Sequence, residues 1–72
     1  MAKEENTIAA VDRAADILDY LYEKGAECSV SAISADLQLY KSTVHRMLQT
    51  LKARGYVYQN PVTSHYGLGL RL

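Results

Sequence analysis

The sequence predicts a mainly α domain with a small β-hairpin, a winged helix-turn-helix built as a three-helix bundle plus wing. Three observations carry that expectation: apolar stripes at helical spacing, a three-residue break between the second and third of them, and a tyrosine- and valine-containing segment folded about Asn60-Pro61.

Residues 1–6 are charged and aperiodic and read as a disordered start. A first helix is predicted from about Thr7 to Lys24, with Val11, Ala14, Ala15, Leu18, Leu21 and Tyr22 as its apolar face. Asp12, Asp16, Asp19 and Glu23 form an acidic stripe beside that face, solvated and unsuited to lying along phosphate. Gly25 is the expected stop, because glycine enters the left-handed conformation cheaply. Cys28, Ser29 and Val30 are read as a very short strand, and Ser31 as the N-cap of a second helix that buries Ile33 and Leu37. Ser34 stands where a glutamate would complete a capping box. Gln38, Leu39 and Tyr40 form the turn.

The third helix runs from about Lys41 to Arg54, with Val44, Met47, Leu48 and Leu51 inward and Gly55 beyond its end. Ser42, His45, Arg46, Gln49 and Ala53 lie on the opposite face, flanked by Lys41 and Lys52. A hairpin over residues 56–68 follows: Tyr56 to Gln59, a turn at Asn60 to Ser64, and His65 to Leu68. Alternation along its strands puts Val57, Tyr66 and Leu68 on the inner face. Tyr56 and Tyr58 share a strand face, where half-buried packing is favoured over stacking on a base.

Seventy-two residues make one small domain, and a chain of that size hides only about 60% of its unfolded surface. No secretory signal is visible, and no run approaches the roughly 20 apolar residues of a membrane span. Cys28, alone, can close no internal disulfide and has no zinc-spaced partner. Together these features predict a cytoplasmic protein with no membrane association and no metal or cofactor. The net charge is zero, but its distribution is uneven. Residues 1–36 hold all eight acids and three bases, a balance of −5, whereas residues 37–72 hold five bases and no acid. That asymmetry puts a polyanion-facing surface on the second half.

Two short helices joined by a tight turn form a unit whose second member fits the major groove, which is about 12 Å wide. The third helix has the chemistry for that role. Lys41 or Arg46 can donate to guanine O6 and N7, Gln49 can pair with adenine, and Ser42 and Thr43 sit where hydroxyls and open amides hold a phosphate. Taken singly, Lys41, Lys52 and Arg54 are ordinary surface charges and Ser42-Thr43 an ordinary cap; their shared position gives them meaning. His45 without a second ligand is no metal site, and Met47 is core filler. The sequence has no G-x-S-x-G, P-loop or paired catalytic carboxylates, so an enzyme is not expected. The competing reading is a winged helix used for protein–protein contact, with the acidic stripe as docking surface.

The run Lys41-Ser42-Thr43-Val44-His45-Arg46-Met47-Leu48, followed by Leu51-Lys52-Ala53-Arg54-Gly55-Tyr56-Val57, resembles the DNA-binding domain of the IclR (isocitrate lyase regulator) family. Val11-Asp12-Arg13-Ala14 with Ile17-Leu18 is similar to that family's first helix, and Tyr66 to Leu72 to the entry of its inter-domain linker. The resemblance spans Thr7 to Leu72, about nine-tenths of the chain. It implies a dimeric bacterial transcription regulator, often a repressor, that binds near-palindromic duplex operators and senses a small-molecule effector through a further C-terminal domain. Residues 7–68 would then be the DNA-binding domain and 69–72 the start of the linker helix. The contacts it implies are Lys41, Ser42, Thr43, His45 and Arg46, with wing support at Thr63, Ser64 and His65. The chain departs from the family pattern at Gln38, where glycine is usual, at Tyr40, where proline or a small polar residue is usual, and in its uncharged wing tip.

Overall fold

The computed structural model describes residues 7–69, in the order α1 (Ala9–Lys24), α2 (Val30–Leu37), α3 (Lys41–Ala53), β1 (Val57–Gln59) and β2 (Tyr66–Leu68). The expectations for residues 1–6 and 70–72 lie outside the described residues. The fold is the winged helix-turn-helix that the sequence predicts: three helices and a two-stranded antiparallel hairpin.

Helix α1 carries two apolar stripes, one residue's rotation (roughly 100°) apart. Ala10, Ala14, Ile17 and Leu21 form one; Val11, Ala15, Leu18 and Tyr22 form the other. The structure turns the first inward and buries its C-terminal half, with Ile17 at 0% and Leu21 at 1% exposure, while Ala14 is half-buried and Ala10 exposed. Val11 at 64% and Tyr22 at 76% face outward, and only Leu18 of the second stripe packs against the core. The expected face of Val11, Ala14, Ala15, Leu18, Leu21 and Tyr22 mixed the two stripes, whereas packing selects the stripe that contains Ile17. Ile17 decides the matter: burying it with Leu21 removes two long branched side chains from water, each worth about 1.5–3 kcal/mol. The helix ends as expected, with Gly25 left-handed at φ 63° and its N–H returned to the Leu21 carbonyl.

The second helix starts earlier than Ser31. Ser29 is its N-cap, accepting from the Ala32 N–H at 3.0 Å, and Ser31 lies exposed in the first turn. The expected strand shrinks to one bridge, in which Cys28 exchanges both backbone hydrogen bonds with Tyr66 at 2.8 Å. That pairing pins Cys28 in extended backbone, so the next residue becomes the cap and Val30 is already helical. Ile33 is buried and Leu37 half-buried.

The turn into α3 closes on one serine. The Ser34 carbonyl accepts from the Leu39 N–H at 3.0 Å, and the buried Ser34 hydroxyl donates to the Leu39 carbonyl. Gln38 caps α2 in the left-handed region at φ 56°. Helix α3 then buries Val44, Leu48 and Leu51, with Met47 half-buried, as its spacing predicts.

The hairpin pairs Val57 with Leu68, Tyr58 with Gly67 and Gln59 with Tyr66. Val57 and Tyr66 are buried and Leu68 half-buried on the inner face. On the outer face the Tyr58 ring lies across Gly67, so close that an added Cβ would stand 2.7 Å from the Tyr58 hydroxyl. One core joins all the elements, running from Ile17 and Leu21 through Ile33, Val44 and Leu48 to Val57 and Tyr66.

Candidate nucleic-acid interface

Burial of Val44, Leu48 and Leu51 leaves the opposite side of α3 outward. Lys41, Ser42, His45 and Arg46 are all exposed there, followed by Lys52 and Ala53 toward the helix end and Arg54 at the cap. No acid stands anywhere from residue 37 to residue 72. The result is a convex ridge with cationic side chains at its N-terminal end and along its length. Its first turn holds no acidic residue, so nothing there offsets the positive end of the helix dipole toward an approaching anion.

Two expected contact residues sit differently. Thr43 is half-buried and turned toward α1, lining a hollow with Arg13, Gln38, Leu39 and Tyr40. It also lines a mostly apolar groove with Ala10, Val11, Ala14, Arg46, Met47, Thr50 and Leu51. Gln49 is half-buried, and its Nε2 donates 2.6 Å to the Tyr66 hydroxyl, so its amide is engaged with the hairpin rather than presented for an adenine. Spacing alone could not reveal this, because the partner lies seventeen residues away.

The wing tip is ordered from Asn60. Its Oδ1 accepts from the Val62 N–H at 2.8 Å and the Thr63 N–H at 3.3 Å, an Asx turn that also tolerates Pro61. The Ser64 N–H returns to the Asn60 carbonyl at 2.8 Å, with Ser64 left-handed at φ 66°. Thr63 and Ser64 are exposed, while His65 is half-buried and its N–H donates to Thr63 Oγ1. The wing root is tied to α3, because Lys52 Nζ donates 3.1 Å to Gln59 Oε1.

Sequence reasoning missed Glu27. This half-buried carboxylate, in the connection between α1 and α2, accepts from the Tyr58 hydroxyl at 2.7 Å and from Asn60 Nδ2 at 3.1 Å. The bond to Glu27 holds the Tyr58 phenol above its usual range. Burial pushes the Cys28 thiol up, partly offset by Lys24, and the Cys28 Sγ donates to the Ala26 carbonyl. That is the environment of an unreactive core thiol. Among the described residues no group of three His, Cys, Asp or Glu side chains is placed to hold a metal ion, and no helix is long and apolar enough to cross a membrane.

Residues 10–61 match the IclR helix-turn-helix domain. The chain is 43% identical over 65 residues to the HTH-type transcriptional regulator XynR of Escherichia coli K12, covering 90% of this chain and 26% of that protein. It is also 43% identical over 63 residues to the HTH-type transcriptional repressor AllR of the same organism, covering 85% of this chain and 23% of the relative. Among solved structures it superimposes on Pseudomonas aeruginosa HmgR with a TM-score of 0.80 at 34% identity, covering 89% of this chain and 27% of that one. The chain thus spans about a quarter of the length of the curated relatives it matches.

Proposed function

The chain belongs to the IclR family, whose helix-turn-helix domain it matches over residues 10–61, and on that premise we propose that it binds duplex DNA sequence-specifically within a bacterial transcription regulator. One observation carries the reading: the acid-free outward side of α3, where Lys41, Ser42, His45 and Arg46 stand exposed together. Entering the major groove, Arg46 and Lys41 donate to guanine edges or phosphate, while His45 and Ser42 contact bases and backbone. Thr43 supports the same turn from the α1 side, and Gln49 serves by holding α3 against the hairpin. Thr63, Ser64 and His65 bring the wing to flanking phosphate.

The family and the name of AllR support repression, in which an occupied operator excludes the transcription machinery. In this reading residues 7–68 are the DNA-binding domain of a cytoplasmic regulator, and residue 69 onward leads into a linker and an effector-sensing domain. The regulator acts as a homodimer on a near-palindromic site. The outward stripe of α1, with Val11 and Tyr22 exposed, and the exposed N-cap residue Ile8 supply apolar surface for that self-association. Linking two subunits makes engagement of the second half-site intramolecular, which raises affinity beyond that of either subunit alone.

Selection of bound sequences from a random duplex pool tests the reading. Enrichment of a common half-site, present as an inverted repeat when the protein is dimeric, is the expected result. A pool that stays random at low salt, alongside capture of a specific protein partner, would favour the protein-contact reading.

A further inference from the structure

We infer that Glu27 is a positioning residue for the wing, holding the hairpin tip in the pose in which it meets DNA beside α3. The inference rests on the DNA-binding reading above and adds a residue outside both α3 and the hairpin.

A two-stranded hairpin is marginal by itself in water and needs outside support. Here β1 and β2 have three residues each, so the tip depends on what holds it. Glu27 grips it twice. One carboxylate oxygen takes the Tyr58 hydroxyl at 2.7 Å and the other takes Asn60 Nδ2 at 3.1 Å. Asn60 passes the restraint on, because its Oδ1 accepts from the amides of Val62 and Thr63 at the tip. The Tyr58 end is fixed independently, with its ring seated on Gly67. Glu27 itself is anchored by its neighbour, since Cys28 exchanges both backbone hydrogen bonds with Tyr66. A rigid path therefore runs from the core through Glu27 and Asn60 to the exposed Val62 and Thr63.

The sign of its effect separates positioning from charge. As a bare negative charge near a polyanion, Glu27 weakens binding, and removing it would tighten binding. As a hydrogen-bonding anchor it strengthens binding, and removal loosens the wing. Glutamine separates the two effects: its Oε1 can accept from Asn60 and its amide can donate to the Tyr58 hydroxyl, which rotates to accept.

The test measures Glu27→Ala and Glu27→Gln in the whole chain, with two readouts. In the free protein, heteronuclear NOE values for the Val62 and Thr63 amides should fall in Glu27→Ala, stay near wild type in Glu27→Gln, and leave the α3 amides unchanged in both. On a selected duplex at fixed salt, Glu27→Ala should bind about fivefold more weakly, with Glu27→Gln close to wild type. Gly67→Ala, which displaces the Tyr58 ring, should reproduce part of the loss and serves if Glu27→Ala folds poorly. Unchanged tip amides in Glu27→Ala, or equally tightened DNA binding in both Glu27 variants, would overturn the proposal. Failure of the wild-type chain to bind any duplex would instead overturn the DNA-binding reading, while the amide readout still decides whether Glu27 positions the wing.

Discussion

The side-chain amide of Gln49 donates a 2.6 Å hydrogen bond to the hydroxyl of Tyr66, fastening the middle of α3 to the strand that closes the hairpin. Tyr66 is completely buried, and its backbone bridges Cys28 between α1 and α2. One residue thus sets three spacings at once: α3 to hairpin, hairpin to inter-helix connection, and both to the core. A hydroxyl at this depth needs a partner, and α3 supplies it from the side that also faces outward.

Tyr66→Phe removes the hydroxyl and strands the Gln49 amide, and is expected to cost about 1 kcal/mol in urea-induced unfolding. Gln49→Ala should cost as much or more, since it leaves the fully buried Tyr66 hydroxyl without its partner, whereas the half-buried Gln49 amide of Tyr66→Phe can turn to water. Its base preference in a selection should match that of wild type. Relaxed preference at a single adenine position would show that Gln49 leaves Tyr66 to read a base.

The turn between α2 and α3 sets the angle at which α3 is presented. Ser34→Ala removes the hydroxyl bound to the Leu39 carbonyl and should lower stability by about 1–2 kcal/mol. Gln38→Gly should act oppositely, relieving a left-handed residue at φ 56° and raising stability by about 0.5–1 kcal/mol. Both are read from urea midpoints. A Gln38→Gly chain less stable than wild type would contradict the assigned backbone conformation.

These residues mark what the sequence could and could not disclose. Val44, Leu48 and Leu51 were legible because α3 has a single apolar stripe, and the outward position of Lys41 and Arg46 follows from it. Ile17 was not, because α1 has two stripes that satisfy the same spacing and only packing chooses between them. Ser29 and Ser31 are both competent caps, and the choice falls to the Cys28–Tyr66 bridge, a contact across 38 residues. The inner face of the hairpin followed from alternation, but its register and the hold of Glu27 on Tyr58, 31 residues apart, leave no local signal. Chemistry confined to one helix could be read; ties between elements could not.

Stability should also depend on alkaline pH through Tyr20. Its hydroxyl donates 2.7 Å to Asp36, and that bond, with burial and the carboxylate's charge adding to it, pushes the phenol up to about 12. The unfolded phenol titrates near about 10. The folded value is the higher, so the contribution is fully present below about pH 10 and is lost as pH rises through about 12. The melting temperature of the wild type should therefore fall more steeply between about pH 9 and 12 than that of Tyr20→Phe. Parallel curves would contradict the assigned bond.

Phosphate contact through α3 has a quantitative signature in salt. The affinity of the chain for a selected duplex, plotted as log K against log salt, should fall with a slope of about −0.9 for each phosphate neutralised. Lys41→Ala and Arg46→Ala should each weaken binding, and whichever side chain contacts phosphate should make the slope shallower by about 0.9. Lys24→Ala, at the far end of α1 with its ammonium over the Tyr20 ring, should change neither affinity nor slope. A salt-independent affinity, or an equal loss from Lys24→Ala, would contradict binding through the outward side of α3.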